Sequence, residues 1–542
     1  MRLNLKTLAL RTPAAAVVLA LTVFASGRPV FASEQQTGQP PVQPPVAAPA
    51  QTAPTGPVLQ LTADEAVKLA LENNMGLQTE RLSPQIQTHA LERAEAAYAP
   101  VSFVNFRRSA NTAPPTDFLS VGVATTTTGT LVTDGGLQQL MRWGGGSYSV
   151  SMTGSRQTTD ALRAVFSPQL NSAMSAAYTQ PLLRNFSIDF NRAAVLQNRN
   201  QLTISDLQLQ ARVTQTARTV RDAYYSMVGA MGSLDVARSS LELANESLRQ
   251  NKRRVEVGVM ASIDIIEAEA EVARVQESVL LAEASVRRLE DILRQLVLNP
   301  SQPDFWSVNL RPTDRPVVTA QPISVEAAID NALKSRTDLA VMRKQLENTD
   351  IDIKFSKNQT LPAIDLQARY GLTGIGGTQN QWAGGLDGEI PFIESTSQRS
   401  FSDVLRDVFG NEFRNWSVAV SVSYPIGTST AESSLAQSRL QRQQGQIALR
   451  ELEVSVVGQV RDAARQVSNS LQRVEATRNA VKFAQIRYDA EQKRVTAGLG
   501  STFQLLNAQQ ALTNARQQEN SAMIDYNRAL ITFEAIQTAP IR

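Results

Sequence analysis

The sequence predicts a mixed α and β membrane protein that is exported and carries a two-fold internal repeat. Three observations support this class: an N-terminal secretory signal, an internal duplication, and amphipathic strands placed between very long helices. The 542 residues contain no cysteine, and their net charge is only +3. Thiolate catalysis, thiolate metal sites and disulfides are thereby excluded, and no basic block indicates nucleic-acid binding.

Residues 1–32 have the features of a cleavable signal peptide. Arg2, Lys6 and Arg11 precede an apolar run, Ala14 to Ala25, that is too short to span a bilayer. Residues 33–57 are rich in Pro, Gln and Ala, which predicts a linker without a packed core. No later segment offers 18 consecutive apolar residues, so a helical membrane protein is excluded.

Self-similarity divides the remainder into two structural repeats, residues 58–320 and 321–542. One set of blocks matches at an offset of 262 residues and a later set at an offset of 240, so the first repeat holds 22 more residues between its blocks. The matched pairs include Leu61–Leu77 with Ile323–Leu339, Pro100 with Pro362, Val220–Ala223 with Val460–Ala463, and Gly258 with Gly498.

Each repeat is predicted to contain a long helix, a glycine turn and a returning helix. Residues 190–253 and 429–493 lack proline, which permits helices of about 60 residues, or ~95 Å. From Val272 to Leu296, apolar or small residues recur at alternating steps of three and four, the pattern of a coiled-coil seam. For these helices alone, an ordinary bundle or a fibrous rod remains an alternative. The turns are expected at about residues 254–263 and 494–503.

Between the helices, alternating apolar and polar residues predict strands at about residues 101–180 and 363–424. An apolar outer face with aromatic ends and a small, polar inner face is typical of a transmembrane β-barrel. A soluble sheet packed on the helices is the alternative. Gly374, Gly376 and Gly377 lie in a stretch that predicts an extracellular loop. The residues predicted to face lipid are Trp416, Val418, Val420, Val422 and Tyr424.

The four clearest strands cannot close a barrel by themselves, because an open edge is not tolerated in hydrocarbon. Single-chain barrels begin at about eight strands. Several chains must therefore share one barrel, so the strand pattern predicts an oligomer.

The order of helix, proline, strands, long helix, glycine turn and helix, given twice, resembles the TolC family of outer-membrane efflux proteins. The resemblance covers nearly all of residues 58–536. It implies a homotrimer in which four strands per chain form a 12-stranded transmembrane β-barrel, continuous with a long periplasmic α-helical coiled-coil barrel. The segments that carry it are Tyr98–Pro100, Thr360–Pro362, Gln180–Asn185, Arg254–Asp264 and Arg494–Gln504.

The function implied by the resemblance is that of a passive exit duct in the bacterial outer membrane. The implied partners are a periplasmic adaptor, an inner-membrane transporter of a tripartite efflux or type I secretion system, and outer-membrane lipid. The glycine turns would meet the adaptor, although simple turn residues without a partner are an equal alternative. The predicted adaptor contacts are Val257, Gly258, Ala261, Ser262, Ala497, Gly498, Gly500 and Ser501.

The family's aperture carboxylates correspond by position to Asp264 and Glu267 in the first repeat. In the second repeat the same positions hold the amides Gln504 and Asn507. Because rings of carboxylates attract cations, the loss of one set predicts a weaker cation preference and a gate held less by salt bridges. An N-cap role for Asp264 is the alternative.

No enzymatic site, cofactor site or metal site is predicted. The sole histidine, His89, lies in an Ala- and Glu-rich helical stretch without a nucleophile or orienting acid assigned to it. A periplasmic coiled-coil adaptor or structural protein is the alternative function, and the doubled strands argue against it. A secreted enzyme is disfavoured by the missing acid–base residues.

Overall fold

The computed structural model describes residues 57–114, 125–161, 164–258, 260–319, 322–383, 392–427 and 429–537. The predicted signal peptide, and all of the predicted linker except residue 57, lie outside these ranges. Within them the chain forms nine α-helices, one two-stranded sheet and one seven-stranded sheet. No helix of this described part is both long enough and apolar enough to cross a membrane.

The first half of the chain contains two short helices, four long strands and two long helices. Its elements are β1 (Val58–Leu61), α1 (Ala63–Asn73), α2 (Met75–Glu95), β2 (Val101–Ala113), β3 (Thr126–Leu140), β4 (Ser147–Thr159), β5 (Phe166–Pro181), α3 (Phe190–Glu256), α4 (Ile263–Val297) and β6 (Asn309–Pro312).

The second half repeats the helices at the two offsets found in the sequence. Helix α5 begins and ends 262 residues after α1, and α8 begins and ends 240 residues after α3. The predicted long helices are thus confirmed, at 67 residues each. The elements are α5 (Val325–Ser335), α6 (Thr337–Gln359), β7 (Ala363–Ala383), β8 (Phe392–Arg399), α7 (Phe401–Phe409), β9 (Phe413–Ser423), α8 (Thr430–Thr496) and α9 (Thr502–Gln537).

Two apolar clusters hold the short helices against the long ones. In the first half, Ala66 and Ala70 of α1 are fully buried in one cluster with Val220 and Tyr224 of α3. In the second half, Ala328, Ala332 and Val460 are buried in a second cluster, together with residues of α9. Alanine at these matched positions lets two helix backbones approach closely, which explains why the sequence identity is concentrated there.

The seven-stranded sheet is antiparallel throughout and follows the order β2-β3-β4-β5-β7, with β8 and β9 both paired to β7. Strand β9 pairs with Ala363–Thr373, whereas β8 pairs with Gly377–Ala383. Strands β8 and β9 therefore share one position along the same edge of β7. The sheet is six strand positions wide.

The large sheet has six strand positions, two more than the four strands per chain that the sequence predicted for the barrel. The additional strands are β3 and β4, which pair with each other and fill the space between β2 and β5. Strand β3 was missed because its Thr- and Gly-rich sequence shows little alternation.

The prediction that Gly374, Gly376 and Gly377 lie in an extracellular loop is wrong, because they lie within a strand. Strand β7 continues through these glycines to Ala383, because they pair with β5 and then with β8. Helix α7 packs against this part of the strand, and a Cβ atom at Gly374 would collide with the carbonyl oxygen of Val404. Glycine here permits close packing of a helix on the sheet.

Candidate functional site

The large sheet has one apolar face that crosses every strand from β9 to β4. On this face Trp416 pairs with Tyr370, Tyr370 with Ala176, and Ala176 with Val150. The residues predicted to face lipid belong to it, and all are exposed in the single chain: Trp416 72%, Val418 61%, Val420 59%, Val422 66% and Tyr424 56%. A continuous apolar surface of this size requires an apolar environment or a partner.

The opposite face of the same sheet is polar. The hydroxyls of Ser151 and Ser175 lie 2.8 Å apart on neighbouring strands, and the Asn105 amide donates to an Asp134 carboxylate oxygen at 2.8 Å. These cross-strand bonds show that hydrogen-bonding side chains, rather than an apolar core, line this side. Each strand thus separates an apolar environment from a wet one.

A polar network joins the sheet to the helices at the end of the sheet where β5 leads into α3. This region is called the helix junction below. The Gln180 amide is buried and donates to the carbonyl oxygen of Gly144 at 2.7 Å. The backbone N–H of Asn185 donates to the Asn358 side chain at 2.6 Å, which ties the two halves together. Asp189 caps α3 by accepting from two backbone N–H groups. Sequence reasoning identified Gln180–Asn185 only as a strand exit and missed this junction.

At the far end of the long helices, the two glycine turns lie side by side. Arg254 donates from Nη1 to the carbonyl oxygen of Val495 at 3.0 Å, so the turn after α3 is bonded to the end of α8. Gly258 and Gly498 adopt φ values of 75° and 74°. This left-handed conformation commonly ends a helix, and glycine adopts it without the steric strain that other residues incur. The two turns are therefore equivalent in backbone geometry.

The predicted adaptor contacts all lie at these turns. Gly500 is half-buried, and a Cβ there would lie 3.1 Å from atoms of Val495. The other seven are exposed: Val257, Gly258, Ala261, Ser262, Ala497, Gly498 and Ser501.

Four exposed apolar side chains beside the turns were not predicted. Leu499 is 80% exposed, and Ile263, Ile266 and Phe503 also lie open on the first turns of the returning helices. The sequence could have revealed them, because each of these apolar residues follows a turn glycine by a few residues. So close to the turn, few neighbouring elements are available to bury a side chain. Together with Val257 they make the tip apolar rather than merely small.

The predicted aperture residues all lie within the first two turns of the returning helices. Asp264 is the second residue of α4 and is half-buried, whereas Glu267, Gln504 and Asn507 are exposed. The N-cap position of α4 belongs to Ser262. Asp264 is thus not the N-cap, although a carboxylate in the first turn is favoured by the helix dipole.

Further from the tip, two carboxylates that are buried or half-buried connect the long helices α3, α4 and α9. Glu271 is largely buried, accepts from Arg274 Nε at 2.8 Å and accepts from Gln510 of α9 at 3.2 Å. The hydrogen bond to Glu271 raises the pKa of the Arg274 guanidinium. Burial raises the pKa of Asp222, although Arg528 and Arg218 lower it in part from 3.8 and 3.7 Å. These groups bind the helices to one another.

The arrangement of an amphipathic sheet on long paired helices matches a known family. The family described as "Outer membrane efflux protein" matches residues 147–297 and 328–537. The chain belongs to this family. The family consists of channel proteins rather than enzymes, so this outer-membrane efflux protein is a channel of the outer membrane with a periplasmic portion. The predictions of family, function and location are confirmed.

Relatives agree with this assignment. The outer-membrane efflux protein is 24% identical over 362 residues to outer membrane protein TolC of Escherichia coli strain K12, covering 66% of this chain and 68% of TolC. It is 25% identical over 334 residues to the alkaline protease secretion protein AprF of Pseudomonas aeruginosa, covering 60% of this chain and 62% of AprF.

Solved structures share the fold. The outer-membrane channel OprN superposes with a TM-score of 0.63 at 18% identity, covering 88% of this chain and 90% of OprN. The open state of the MtrE outer membrane channel of Neisseria gonorrhoeae gives a TM-score of 0.59 at 17% identity, covering 88% of this chain and 89% of MtrE. At such identities the likeness concerns the fold alone.

Proposed function

We propose that this protein is the passive outer-membrane exit duct of a tripartite efflux or type I secretion system. It works as a homotrimer and receives its substrate from an inner-membrane transporter through a periplasmic adaptor. The observation that carries the proposal is the sheet with one apolar and one polar face, attached to two 67-residue helices. TolC, AprF and MtrE, named as outer-membrane, secretion and channel proteins, support it.

The sheet explains why several copies are needed. Strands β2 and β9 each have one side without a partner strand in the described chain. An open edge leaves backbone N–H and C=O groups unpaired, at a cost of several kcal/mol each in hydrocarbon. Copies that pair edge to edge remove this cost, and the apolar face then contacts lipid while the polar face lines water.

The helices explain how the duct reaches its partners. At about 1.5 Å per residue, α3 and α8 are each ~100 Å long, several times the thickness of a bilayer core. They carry the two glycine turns away from the sheet to the periplasmic tip. There Val257, Leu499 and Phe503 offer an exposed apolar surface for an adaptor's helical hairpin.

At this tip, Asp264 and Glu267 form the acidic part of the aperture, and Gln504 and Asn507 form its neutral part. Three copies then contribute about six acids, two from the first repeat of each chain and none from the second. The double variant Asp264→Asn with Glu267→Gln should lower the cation-to-anion permeability ratio of single channels. Its matched control is Gln504→Glu with Asn507→Asp, which should raise that ratio. Unchanged selectivity in both variants would remove these residues from the aperture.

Fractionation tests the duct itself. The protein should sediment with outer membrane, resist extraction by high salt, and yield in mild detergent a particle of three chains by native mass spectrometry. Reconstituted in a planar bilayer, this particle should conduct ions. A monomer released by high salt, with no conductance, would instead favour the alternative of a periplasmic structural protein.

A further inference from the structure

We infer that all six strand positions of each chain enter the barrel wall, so that three copies with six positions each close it with eighteen strands. The inference rests on the proposed trimeric duct and specifies its wall. It assigns the β3–β4 hairpin to the membrane and makes β2 and β9 the contact surface between copies.

The hairpin is long enough to cross the bilayer. Strand β3 has 15 residues and β4 has 13, whereas a tilted transmembrane strand needs about 9–11. The pairing of β3 with β2 runs from Ala113 with Thr126 at one end to Val101 with Gln138 at the other. The hairpin therefore extends from the outer loops down to the helix junction.

The side chains of the hairpin follow the two faces of its neighbours. Val150 and Met152 of β4 pair with Ala176 and Met174 of β5 on the apolar face. Ser151, between them, pairs with Ser175 on the polar face and lies within hydrogen-bond distance of it. A hairpin folded over the outer surface would need no such alternation, whereas a wall between lipid and lumen requires it.

The turn of the hairpin, residues 141–146, is anchored at the junction although no helix follows it. Gly144 accepts from the buried Gln180 amide, and the Arg142 guanidinium lies 5.9 Å above the Tyr98 ring. Trp143 is 65% exposed at this end of the hairpin. An exposed tryptophan between strand ends and helices is the placement expected of an aromatic residue at the membrane interface.

The two edge strands of the sheet, β2 and β9, have directions that allow them to pair with each other between copies. Strand β2 runs away from the helix junction, and β9 returns toward it, because successive strands of the sheet alternate in direction. The edges of two copies can therefore pair antiparallel, with the apolar faces on the same side. Six positions per chain keep this alternation around the whole ring.

A wall of eighteen strands is wider than one of twelve by roughly half, since barrel diameter grows about linearly with strand number. Each copy still supplies four long helices, α3, α4, α8 and α9. The lumen within the membrane is then wider than strand counting from the sequence predicted, and its serine, threonine and amide lining is fully wet. The constriction belongs to the helical tip.

Cysteine labelling tests the assignment, and the absence of native cysteine makes each introduced thiol unique. The test pair on the hairpin is Val150→Cys and Ser151→Cys, and the control pair on β5 is Ala176→Cys and Ser175→Cys. Intact cells are treated with a charged, membrane-impermeant maleimide, and labelling is measured on the purified oligomer. We expect Ser151→Cys and Ser175→Cys to label at least about tenfold faster than their lipid-facing neighbours.

The two pairs of variants distinguish failure of the hairpin assignment from failure of the proposed duct. Alternating labelling on β5 with equal labelling at both β4 positions would place the hairpin outside the wall and overturn the inference, while leaving the duct intact. Loss of alternation on both strands would contradict the proposed function itself. If a β4 variant fails to assemble, Met152→Cys and Thr153→Cys test the same two faces one pair further along.

Discussion

The two halves of the chain have almost the same helices and very different strands. Helices α3 and α8 both contain 67 residues, and α1 and α5 both contain 11. The first half, however, has four strands in the large sheet, whereas the second has three strands and the short helix α7. The 22 extra residues of the first half thus lie among strands rather than helices.

The difference shows which lengths the architecture constrains. The two long helices must end at the same level, because Arg254 at the end of α3 bonds to Val495 at the end of α8. A hairpin, by contrast, leaves and returns at the same end of a sheet, so β3 and β4 can be inserted without changing the length of any helix. Such a duct can vary its strand number while its helical length stays constant.

The largest expected effect comes from placing a charge on the apolar face of each half. Val420→Arg in β9 and Val150→Arg in β4 should each cost about 2–4 kcal/mol per chain if both face lipid at mid-membrane. Both variants should lose the detergent-resistant oligomer on gels of outer membranes. The controls, Ala419→Arg and Ser151→Arg, face the lumen and should assemble. Normal assembly of Val150→Arg beside failure of Val420→Arg would mean that β4 lies outside the wall.

The next effect concerns the two apolar clusters. The Tyr224 hydroxyl donates to the Leu61 carbonyl oxygen at 3.0 Å and accepts from the Asp314 backbone N–H at 3.1 Å. Burial raises the pKa of Tyr224 to about 12. Tyr224→Phe removes both bonds. The Leu61 carbonyl oxygen still accepts from the Thr313 backbone N–H at 3.0 Å, but the Asp314 N–H loses this acceptor, so the variant should cost about 1–3 kcal/mol in thermal unfolding.

Among the described residues, the Tyr526 hydroxyl makes one hydrogen bond, to the Thr319 carbonyl oxygen, and so has fewer bonds to lose. Tyr526→Phe should therefore cost less than Tyr224→Phe, and the half-buried Tyr225 provides a control with almost no loss. Equal costs at Tyr224 and Tyr526 would show that hydrogen bonding does not distinguish the two clusters.

How much the sequence could predict depended on what each residue had to pack against. The alternation from Trp416 to Tyr424 was visible because every residue of β9 is exposed, so no core of the single chain packs against the strand and interrupts the pattern. In β3 the same pattern is hidden, since Gly135 takes the position opposite Met152 on the apolar face, where a Cβ would lie 3.2 Å from the Phe103 carbonyl oxygen. Tight strand contact there favours glycine and removes the apolar residue that would have revealed the strand.

The candidate sites also divide into features that the sequence reveals and features that only the structure shows. The turn glycines were found because two matched copies carry them at one offset, and both have the left-handed backbone that demands glycine. The contact of Asn185 with Asn358 joins residues 173 positions apart. No local sequence pattern predicts a hydrogen bond between residues so far apart. The junction between sheet and helices was therefore visible only in the structure.

A smaller effect tests the equivalence of the two tips. Gly258→Ala and Gly498→Ala introduce a Cβ into open space, so only the left-handed backbone conformation is penalised, by roughly 1–2 kcal/mol in each case. We expect equal losses of thermal stability in the two variants. A much larger loss of binding to an adaptor hairpin at one turn than at the other would show that the partner distinguishes them.

The smallest effect lies at the start of the short helices. Thr62 and Glu65 form a capping box on α1, whereas the matched Ser324 makes no side-chain bond at the start of α5. Thr62→Ala should therefore cost about 1 kcal/mol, and Ser324→Ala should cost close to nothing. Equal losses from the two substitutions, measured by thermal unfolding, would contradict this difference.

The capping box also predicts a pH dependence. Hydrogen bonds from the Thr62 backbone and side chain lower the pKa of Glu65 below its ordinary value of 4.5. The stability that Glu65 contributes is therefore complete above the unfolded pKa and is lost as the pH falls through the lower folded pKa. The difference in free energy of unfolding between the native protein and the Thr62→Ala variant should shrink on acidification and stay constant above neutral pH.

The most direct test of this account is a count of strands in a cryo-EM map of the unmodified protein in lipid nanodiscs. We expect three chains around one lumen, with eighteen antiparallel strands in the wall, β9 of each copy beside β2 of the next, and the sheet face that carries Trp416 toward lipid. A wall of twelve strands with β3 and β4 outside it, or a sheet that remains open, would contradict it.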